Sequence, residues 1–381
     1  MIKRDIQKRI EARLGGKRAV LLIGARQVGK TSLLKEMFSG KPGVLWLNGD
    51  DPDTAAVFDA AGGTRLRALI GNNHTLVIDE AQRVRDIGLK LKIIIDQVVD
   101  VQLVATGSSA FDLANRTAES LAGRKWTFHL HALSFAELVA HHGLLEEQRL
   151  RPHRLVFGAY PEVVTTPGDE AALLRKIADS ALYKDVLSFG GIKNPDAVRK
   201  LLKVLAWQIG SQVSYQELGQ TCGLSYQTVE KYIDILEKAY VVFRLGSYSR
   251  NLRNELKKSR KVYFCDTGIR NAVIGDFRPL ENRPDAGALW ENYLVAERQK
   301  RLSNEGQVAE GFFWRTQQKQ EIDYIEEANS ALAAFEIKWN PAAKTRGQRT
   351  FLSAYPTATH TVVTSENYAE FLLKPPENDT V

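Results

Sequence analysis

Cysteine and long apolar runs are scarce in this chain of 381 residues. Its two cysteines, Cys222 and Cys265, are too few for a disulfide framework or a zinc site, which favours a reducing compartment. No stretch approaches the ~20 apolar residues of a membrane-spanning helix, and the charged start Met1–Asp5 lacks the apolar core of a signal peptide. We therefore expect a cytoplasmic protein that does not enter a membrane.

Positive charge is unevenly distributed along the chain. The formal net charge is +7 at pH 7, and residues 191–270 alone hold 14 Lys and Arg against 7 Asp and Glu. This one segment therefore accounts for the whole excess. Localised positive charge predicts a polyanionic partner such as DNA better than a dispersed surplus does. A basic face that contacts only solvent is the alternative.

A glycine-containing loop, Gly24–Thr31, follows the apolar run Ala19–Ile23 and precedes apolar residues at helical spacing in 32–38. This context is typical of a phosphate-binding loop, whose backbone N–H groups face phosphate oxygens at a helix N-terminus. Lys30 would reach the β- and γ-phosphates, and the Thr31 hydroxyl would hold Mg²⁺. An ordinary glycine turn is the alternative. The predicted nucleotide-binding residues are Gly24, Ala25, Arg26, Gln27, Val28, Gly29, Lys30, Thr31 and Ser32.

Two acids, Asp79 and Glu80, end another apolar run, Leu76–Ile78. Asp79 would accept a hydrogen bond from Mg²⁺-bound water, and Glu80 would polarise the water that attacks the γ-phosphate. An apolar run ending in two acids is also common at ordinary strand exits. Combined with the glycine loop, this pair predicts hydrolysis of ATP with Mg²⁺ rather than binding alone.

Strand and helix patterns alternate over the first third of the chain, which predicts a parallel sheet with helices on both faces. The glycine loop, the acid pair and Thr106–Ser109 all follow predicted strands, at the sheet edge where ligands bind. The predicted fold class is α/β, with this sheet, a helical lid, a winged helix and a C-terminal α/β domain. The predicted boundaries are 1–133, 134–190, 191–270 and 271–381. The predicted strands of the first domain are Ala19–Ile23, Val44–Leu47, Leu76–Ile78, Val101–Ala105 and Trp126–Leu130.

The basic segment contains a helix-turn-helix pattern. Ser214 and Glu217 form a capping-box sequence, and Ser225 is placed to cap a second helix. The apolar face of that helix is predicted to carry Val229, Ile233 and Leu236, and the opposite face Gln227, Thr228, Lys231 and Tyr232. The runs Val241–Leu245 and Lys261–Phe264 are predicted wing strands. The cations predicted to contact phosphates are Arg244, Arg250, Arg253, Lys257, Lys258, Arg260 and Lys261.

A second candidate site lies near the C-terminus, at Glu336 and Lys338. Strand alternation puts these two side chains on one face, and Asp323 and Glu291 could converge on them. Glu291, Asp323 and Glu336 would hold Mg²⁺, while Lys338 would help to deprotonate the attacking water. This set resembles a PD-(D/E)XK nuclease core. An inactive remnant or a solvated strand face is the alternative.

The ordered motifs together resemble the prokaryotic AAA+ ATPases that carry a C-terminal domain of unknown function with a nuclease-like core. The resemblance rests on Gly24–Thr31, Asp79–Gln82, Thr106–Ser109, Leu121–Arg124 and Gly158–Glu162. It implies a homo-oligomer, expected to be a hexameric ring, and a lid motif at Gly158–Glu162 beside the nucleotide.

Individual roles follow from the same resemblance. Ser108 matches the sensor-1 position that contacts the γ-phosphate, with Thr106 as the alternative. Arg124 matches the arginine that one subunit inserts into its neighbour's site, with Arg116 as the competing candidate. A surface arginine is the alternative for either. No sensor-2 arginine stands out, and Arg154 and Arg175 are the two possibilities.

Two functions from different classes fit these observations. The first is an ATPase that couples ATP binding and hydrolysis to binding or remodelling of duplex or branched DNA, with Mg²⁺-dependent cleavage by the C-terminal domain. The second is an ATP-dependent regulatory switch or assembly scaffold, in which the nuclease-like domain is inactive.

Overall fold

The computed structural model describes residues 2–59, 62–98, 100–108, 117, 120–181, 186–187, 192, 194–249, 260–316, 318, 320–345 and 347–373. Several predicted site residues lie outside this part of the chain, namely Ser109, Arg116, Arg250, Arg253, Lys257 and Lys258. Across the ranges that are described, no helix is both long enough and apolar enough to span a membrane.

Five parallel strands form the N-terminal sheet, in the order β2–β3–β4–β1–β5. All residues of β1 and β4 are buried, as expected for central strands covered on both faces. The predicted parallel α/β sheet is therefore confirmed. Its strands are β1 (Ala19–Ile23), β2 (Val44–Asn48), β3 (Thr75–Asp79), β4 (Gln102–Gly107) and β5 (Lys125–His129).

Alternate residues of β1 separate two packing layers. Val20 and Leu22 belong to the same core as α1 and α2, while Leu21 and Ile23 belong to the core that holds α4 and α5. This period of two is the pattern of a strand buried on both sides. The helices of this region are α1 (Ile6–Glu11), α2 (Lys30–Phe38), α3 (Pro52–Asp59), α4 (Gly63–Ile70) and α5 (Ile87–Gln97).

The middle of the chain is mainly helical. Ser134 and Glu137 form a complete capping box at the first of these helices. The helices are α6 (Phe135–His142), α7 (Leu144–Phe157), α8 (Pro161–Thr165), α9 (Glu170–Ser180), α10 (Pro195–Trp207), α11 (Tyr215–Cys222), α12 (Tyr226–Lys238) and α13 (Thr267–Ile274).

The two helices predicted on either side of Gly223 are present as α11 and α12. Ser214 accepts a hydrogen bond from the Glu217 N–H at 3.3 Å, and Ser225 accepts one from the Thr228 N–H at 3.2 Å. Val229, Ile233 and Leu236 are buried as predicted. Tyr232, predicted on the opposite face, is only 3% exposed. It lies three residues after Val229, and residues at that spacing share a helix face.

A seven-stranded second sheet combines the predicted wing strands with the C-terminal strands, in the order β12–β11–β10–β9–β7–β8–β6. The link is a parallel pair between β7 and β9, in which Gly246 lies opposite Phe312. The predicted boundary between residues 270 and 271 thus falls between elements that share one sheet. The strands are β6 (Gln212–Val213), β7 (Val242–Ser247), β8 (Arg260–Phe264), β9 (Glu310–Arg315), β10 (Glu321–Ala328), β11 (Ala331–Ile337) and β12 (Thr359–Val363); the accompanying helices are α14 (Ala286–Glu305), α15 (Gln348–Ala354) and α16 (Tyr368–Leu373).

Candidate functional site

The loop between β1 and α2 requires glycine at two positions. A Cβ atom at Gly24 would lie 2.0 Å from the carbonyl oxygen of Leu130, so a larger residue would displace the loop from the end of β5. Gly29 has φ +95°, in the left-handed region that favours glycine. The loop therefore has the tight curl that directs successive backbone N–H groups to one point.

Lys30 begins α2 and is directed into the loop. Its Nζ donates hydrogen bonds to the carbonyl oxygens of Gly24 at 2.9 Å and Ala25 at 2.8 Å. The residue is only 5% exposed. Its ammonium group is thus held beside the point where the loop amides would bind phosphate.

The acidic end of β3 meets the loop and the end of β4. Thr31 Oγ1 donates to Asp79 Oδ2 at 2.8 Å, and Thr106 Oγ1 donates to Asp79 Oδ1 at 2.5 Å. The Glu80 N–H in turn donates to Thr106 Oγ1 at 2.9 Å. Three predicted site segments therefore converge at one edge of the sheet, with Thr31 and Asp79 in contact as a shared Mg²⁺ site requires.

Gln82 connects the predicted catalytic acid to the predicted sensor and was missed by the sequence analysis. Its Nε2 donates to Glu80 Oε2 at 2.5 Å and to Ser108 Oγ at 3.1 Å. Thr106, the alternative sensor, donates to Asp79 instead. Both hydroxyls thus lie beside the acid pair, since Thr106 also accepts from the Glu80 N–H, and the choice between Ser108 and Thr106 as sensor stays a prediction.

A cavity of about 620 Å³ adjoins the loop. This volume lies within the range of small-molecule sites in proteins. Pro161 and Glu162 of the predicted lid motif lie in its wall, as the resemblance implies. The lining residues are Ile2, Arg4, Arg26, Gln27, Gly29, Lys30, Thr31, Ser32, Leu33, Glu80, Leu133, Pro161, Glu162, Thr165 and Ser180.

Arg4 is a second residue that the sequence analysis missed. Its guanidinium donates to the carbonyl oxygens of Val28 and His131, both at 2.7 Å, and pairs with Glu137 at 3.0 Å. The segment before β1 is therefore tied to both the loop and α6.

By contrast, Arg154 is buried in a two-bond pair with Glu147 and does not line the cavity, so the structure does not support it as the sensor-2 residue.

The other sensor-2 candidate, Arg175, also lies away from the nucleotide cavity. It lines a separate cleft of about 590 Å³ between α9, α10 and α13. Its guanidinium lies 5.3 Å from the centre of the Phe277 ring. Neither possibility named from the sequence therefore reaches the cavity beside the loop.

Arg124 lies immediately before β5 and pairs with Asp96 at 3.3 Å. Because β5 runs parallel to β1, Arg124 lies at the strands' N-terminal edge, whereas the glycine loop lies at their C-terminal edge. A five-residue strand separates these edges by roughly 15 Å. With 45% of its side chain exposed, Arg124 is accessible to a second molecule rather than to its own loop.

Two cations predicted to contact phosphates are already paired with acids. Arg244 pairs with Asp234 at 2.6 Å and also with Glu237. Lys261 is only 1% exposed and pairs with Glu291 at 2.9 Å and Glu321 at 2.5 Å. The phosphate-contact prediction is therefore wrong for Lys261, because its side chain is buried against the two carboxylates. Arg260, the preceding residue, is half-buried.

The predicted C-terminal residues do converge. Lys338 Nζ lies 3.0 Å from Glu336 Oε1 and 3.6 Å from Asp323 Oδ2. The Ile337 N–H donates to Asp323 Oδ2 at 2.7 Å. Burial, followed by repulsion from Glu291, raises the pKa of Asp323 to about 7 against the opposing effect of nearby lysines.

These carboxylates are neutralised by lysine rather than arranged around a metal position. Throughout the described ranges, no group of three or more His, Cys, Asp or Glu side chains is placed to hold a metal ion. The predicted ligand set of Glu291, Asp323 and Glu336 therefore does not fit a resident Mg²⁺ ion in this arrangement. Burial, the largest single effect, would lower the pKa of Lys261, but Glu291, Tyr263, Asp323 and Glu321 together outweigh it, so the pKa is raised and the lysine stays protonated.

Family models match three successive parts of the chain. Residues 16–139 match the model described as an AAA domain. This part of the chain, which includes the glycine loop and the acid pair, is therefore similar to an AAA domain. Residues 148–280 and 286–373 match two domains of unknown function, DUF8612 and DUF4143 respectively. The cavity beside the glycine loop is lined mainly by residues of the part that matches the AAA domain and by residues of the helices that follow it.

Similar proteins span most of the chain. An uncharacterized protein of Mycobacterium tuberculosis is 29% identical over 340 residues, covering 88% of this chain and 74% of that protein. An uncharacterized protein of Methanocaldococcus jannaschii is 22% identical and covers 84% and 74% respectively. Among solved structures, the Walker-type ATPase of Pyrococcus abyssi has a TM-score of 0.50 at 14% identity, covering 72% of this chain and 96% of its own. This likeness shows a shared fold.

Proposed function

We propose that the protein is an ATPase that couples ATP binding and hydrolysis to binding or remodelling of DNA. The observation that carries the ATPase proposal is the meeting of Lys30, Thr31, Asp79 and Glu80 beside the 620 Å³ cavity. Lys30, Thr31 and Glu80 line the cavity, and Thr31 donates to Asp79, so the loop and the end of β3 meet there. That convergence is what a shared phosphate and Mg²⁺ site needs.

Each side chain has a definite task in this proposal. Lys30 would exchange its bonds with the Gly24 and Ala25 carbonyls for bonds with phosphate oxygens. Thr31 and Asp79 would hold Mg²⁺, which would neutralise charge that develops on the phosphates. Glu80, oriented by Gln82, would polarise the attacking water.

The exposed face of α10 supports DNA as the partner. Arg199, Lys200 and Lys203 lie at helical spacing on this face and line the 590 Å³ cleft together with Arg175. One turn further on, Trp207 is 63% exposed. A row of cations ending in an exposed aromatic ring offers contacts for phosphates and a stacking surface for an unpaired base.

The DNA surface is tested with Lys200→Ala combined with Lys203→Ala. Loss of two phosphate contacts should weaken binding of branched DNA and lower the slope of log affinity against log salt by about 2. Fluorescence anisotropy across a salt series measures both quantities. Lys8→Ala with Lys41→Ala is the matched control, since it removes the same charge from exposed positions elsewhere. Equal affinity and slope in the two double variants would remove α10 from the proposal.

Mg²⁺-dependent DNA cleavage is the second candidate activity, favoured by the contact of Lys338 with Glu336 and Asp323. The buried ion pairs of Lys261 count against cleavage, because one of them occupies Glu291, a predicted Mg²⁺ ligand. They favour an ATP-dependent switch with an inactive nuclease-like domain. We expect no cleavage of linear or branched DNA by the purified chain with Mg²⁺. Cleavage that disappears in Glu336→Ala with Lys338→Ala would instead establish the nuclease.

Ring formation belongs to the same proposal. The exposed position of Arg124 at the sheet edge remote from its own loop supports action on a neighbouring copy, and a hexamer is what the AAA+ resemblance implies.

A further inference from the structure

Lys261 places a positive charge beside two carboxylates of the C-terminal acidic cluster, defined here as Glu291, Glu321, Asp323 and Glu336. Its Nζ lies 2.9 Å from Glu291 Oε1 on α14 and 2.5 Å from Glu321 Oε1 on β10. The side chain is 1% exposed. An ammonium group enclosed in this way occupies the position that a bridging cation would take between two carboxylates.

The strand that carries Lys261 is fixed against α14 by further contacts. Tyr263 Oη donates to Glu291 Oε1 at 2.6 Å. Asn292 accepts from the Phe264 N–H at 2.7 Å and donates to the Phe264 carbonyl oxygen at 2.8 Å. Neither Lys261 nor Glu291 can therefore turn away without breaking contacts between β8 and α14.

The charges in this region come close to balance without a metal. Lys338 lies beside Glu336 and Asp323, and Arg315 pairs with Glu321 at 3.4 Å. Lys261 is the third cation facing four carboxylates. Removing one partner of a buried ion pair leaves an uncompensated charge, which is costly in a low-dielectric site. Loss of Lys261 would therefore leave a strong demand for another cation.

A further side chain could serve as a ligand if that cation were a metal. His360 Nε2 is buried, has no hydrogen-bond partner among the described residues and lies 3.5 Å from Glu336 Oε2. Its ring nitrogen thus faces the cluster from β12, in addition to the carboxylates. The carboxylates of the cluster and this ring nitrogen are oxygen and nitrogen donors of the kind that Mn²⁺ accepts.

We propose that Lys261 is an internal substitute for a divalent cation. Its ammonium joins β8 to α14 and β10 through the carboxylates, so the cluster holds the second sheet together without a metal. The same group excludes divalent ions from the cluster. Removing its charge turns the cluster into a divalent-cation site.

The test measures Mn²⁺ binding to the whole chain without nucleotide. Bound Mn²⁺ is detected as a loss of the free-Mn²⁺ signal in electron paramagnetic resonance. Wild type and the Glu291→Gln variant are expected to bind the same amount of Mn²⁺. Lys261→Ala is expected to gain one bound Mn²⁺ per chain, and Lys261→Ala with Glu291→Gln is expected to lose it again. The Glu291→Gln comparison separates this site from the glycine loop, which it does not alter.

Two outcomes would overturn the proposal. One is a Mn²⁺ ion in wild type that Glu291→Gln abolishes, because the cluster would then accept a metal with Lys261 present. The other is a folded Lys261→Ala protein that gains no Mn²⁺. Near-ultraviolet circular dichroism checks the fold, and Lys261→Gln repeats the test with less lost volume if the alanine variant is unfolded. ATP turnover plays no part in the readout, so failure here leaves the proposed ATPase function untouched.

Discussion

Lys30→Ala is expected to reduce ATP turnover by at least about 10²-fold, the usual cost of removing one group that stabilises developing charge. The ammonium group lies 2.9 Å from the Gly24 carbonyl oxygen and 2.8 Å from that of Ala25, at the mouth of the glycine loop. No neutral side chain at this position can provide that charge to the β- and γ-phosphates. Phosphate release at saturating ATP, from the purified full-length chain, measures the effect.

Lys35→Ala is the matched control for this variant, because Lys35 lies on the same helix, α2, and is exposed. It should retain wild-type turnover. Thermal unfolding of both variants separates a chemical effect from loss of the fold. Undiminished hydrolysis by a folded Lys30→Ala protein would overturn the assignment of the loop.

The sheet and the loop were predictable because their signals are local. The run Ala19–Ile23 is apolar at every position, as a strand buried on both faces must be. Gly24 and Gly29 follow at fixed spacing, and Asp79 and Glu80 end a neighbouring strand. Chain order and strand parallelism then suffice to bring these residues to one edge.

Residues whose partners are distant in sequence escaped prediction. Arg4 reaches Glu137 and His131, and Lys261 reaches Glu291 and Glu321, which depends on how separate elements pack. A buried lysine and an exposed lysine look alike in sequence, so Lys261 was grouped with the solvent-facing cations. Strand alternation relative to Val262 and Phe264 is only a weak signal here, because these residues are buried as well.

The second sheet shows the same limit at the level of topology. The wing strands β7 and β8 were predicted to within two residues from apolar runs, whereas β6 and β12 were not predicted. The pairing of β7 with β9 has no local signature, since 62 residues of chain separate β7 from β9 and their described part includes α13 and α14. The sequence therefore predicts a domain boundary after residue 270, although one sheet contains strands from both sides of that boundary.

Arg124→Ala is expected to lower ATP turnover by about 10³-fold or more, within the range seen for arginines that act on transferring phosphoryl groups. Its surface pair with Asp96 contributes at most about 1 kcal/mol, so the thermal unfolding temperature should change little. Arg149→Ala is the matched control, since Arg149 is also exposed and paired with an acid, Glu146. That variant should keep full turnover.

Mixing two inactive variants tests whether Arg124 acts between copies of the chain. Lys30→Ala retains Arg124 but lacks a working loop, whereas Arg124→Ala retains the loop. The sheet separates these two positions within one copy, so only a neighbour can bring them together. Restored hydrolysis in the mixture, with neither variant active alone, is therefore the expected result. A mixture as inactive as its components would contradict action of Arg124 on a neighbouring copy, and the shared inter-subunit site would have to be abandoned.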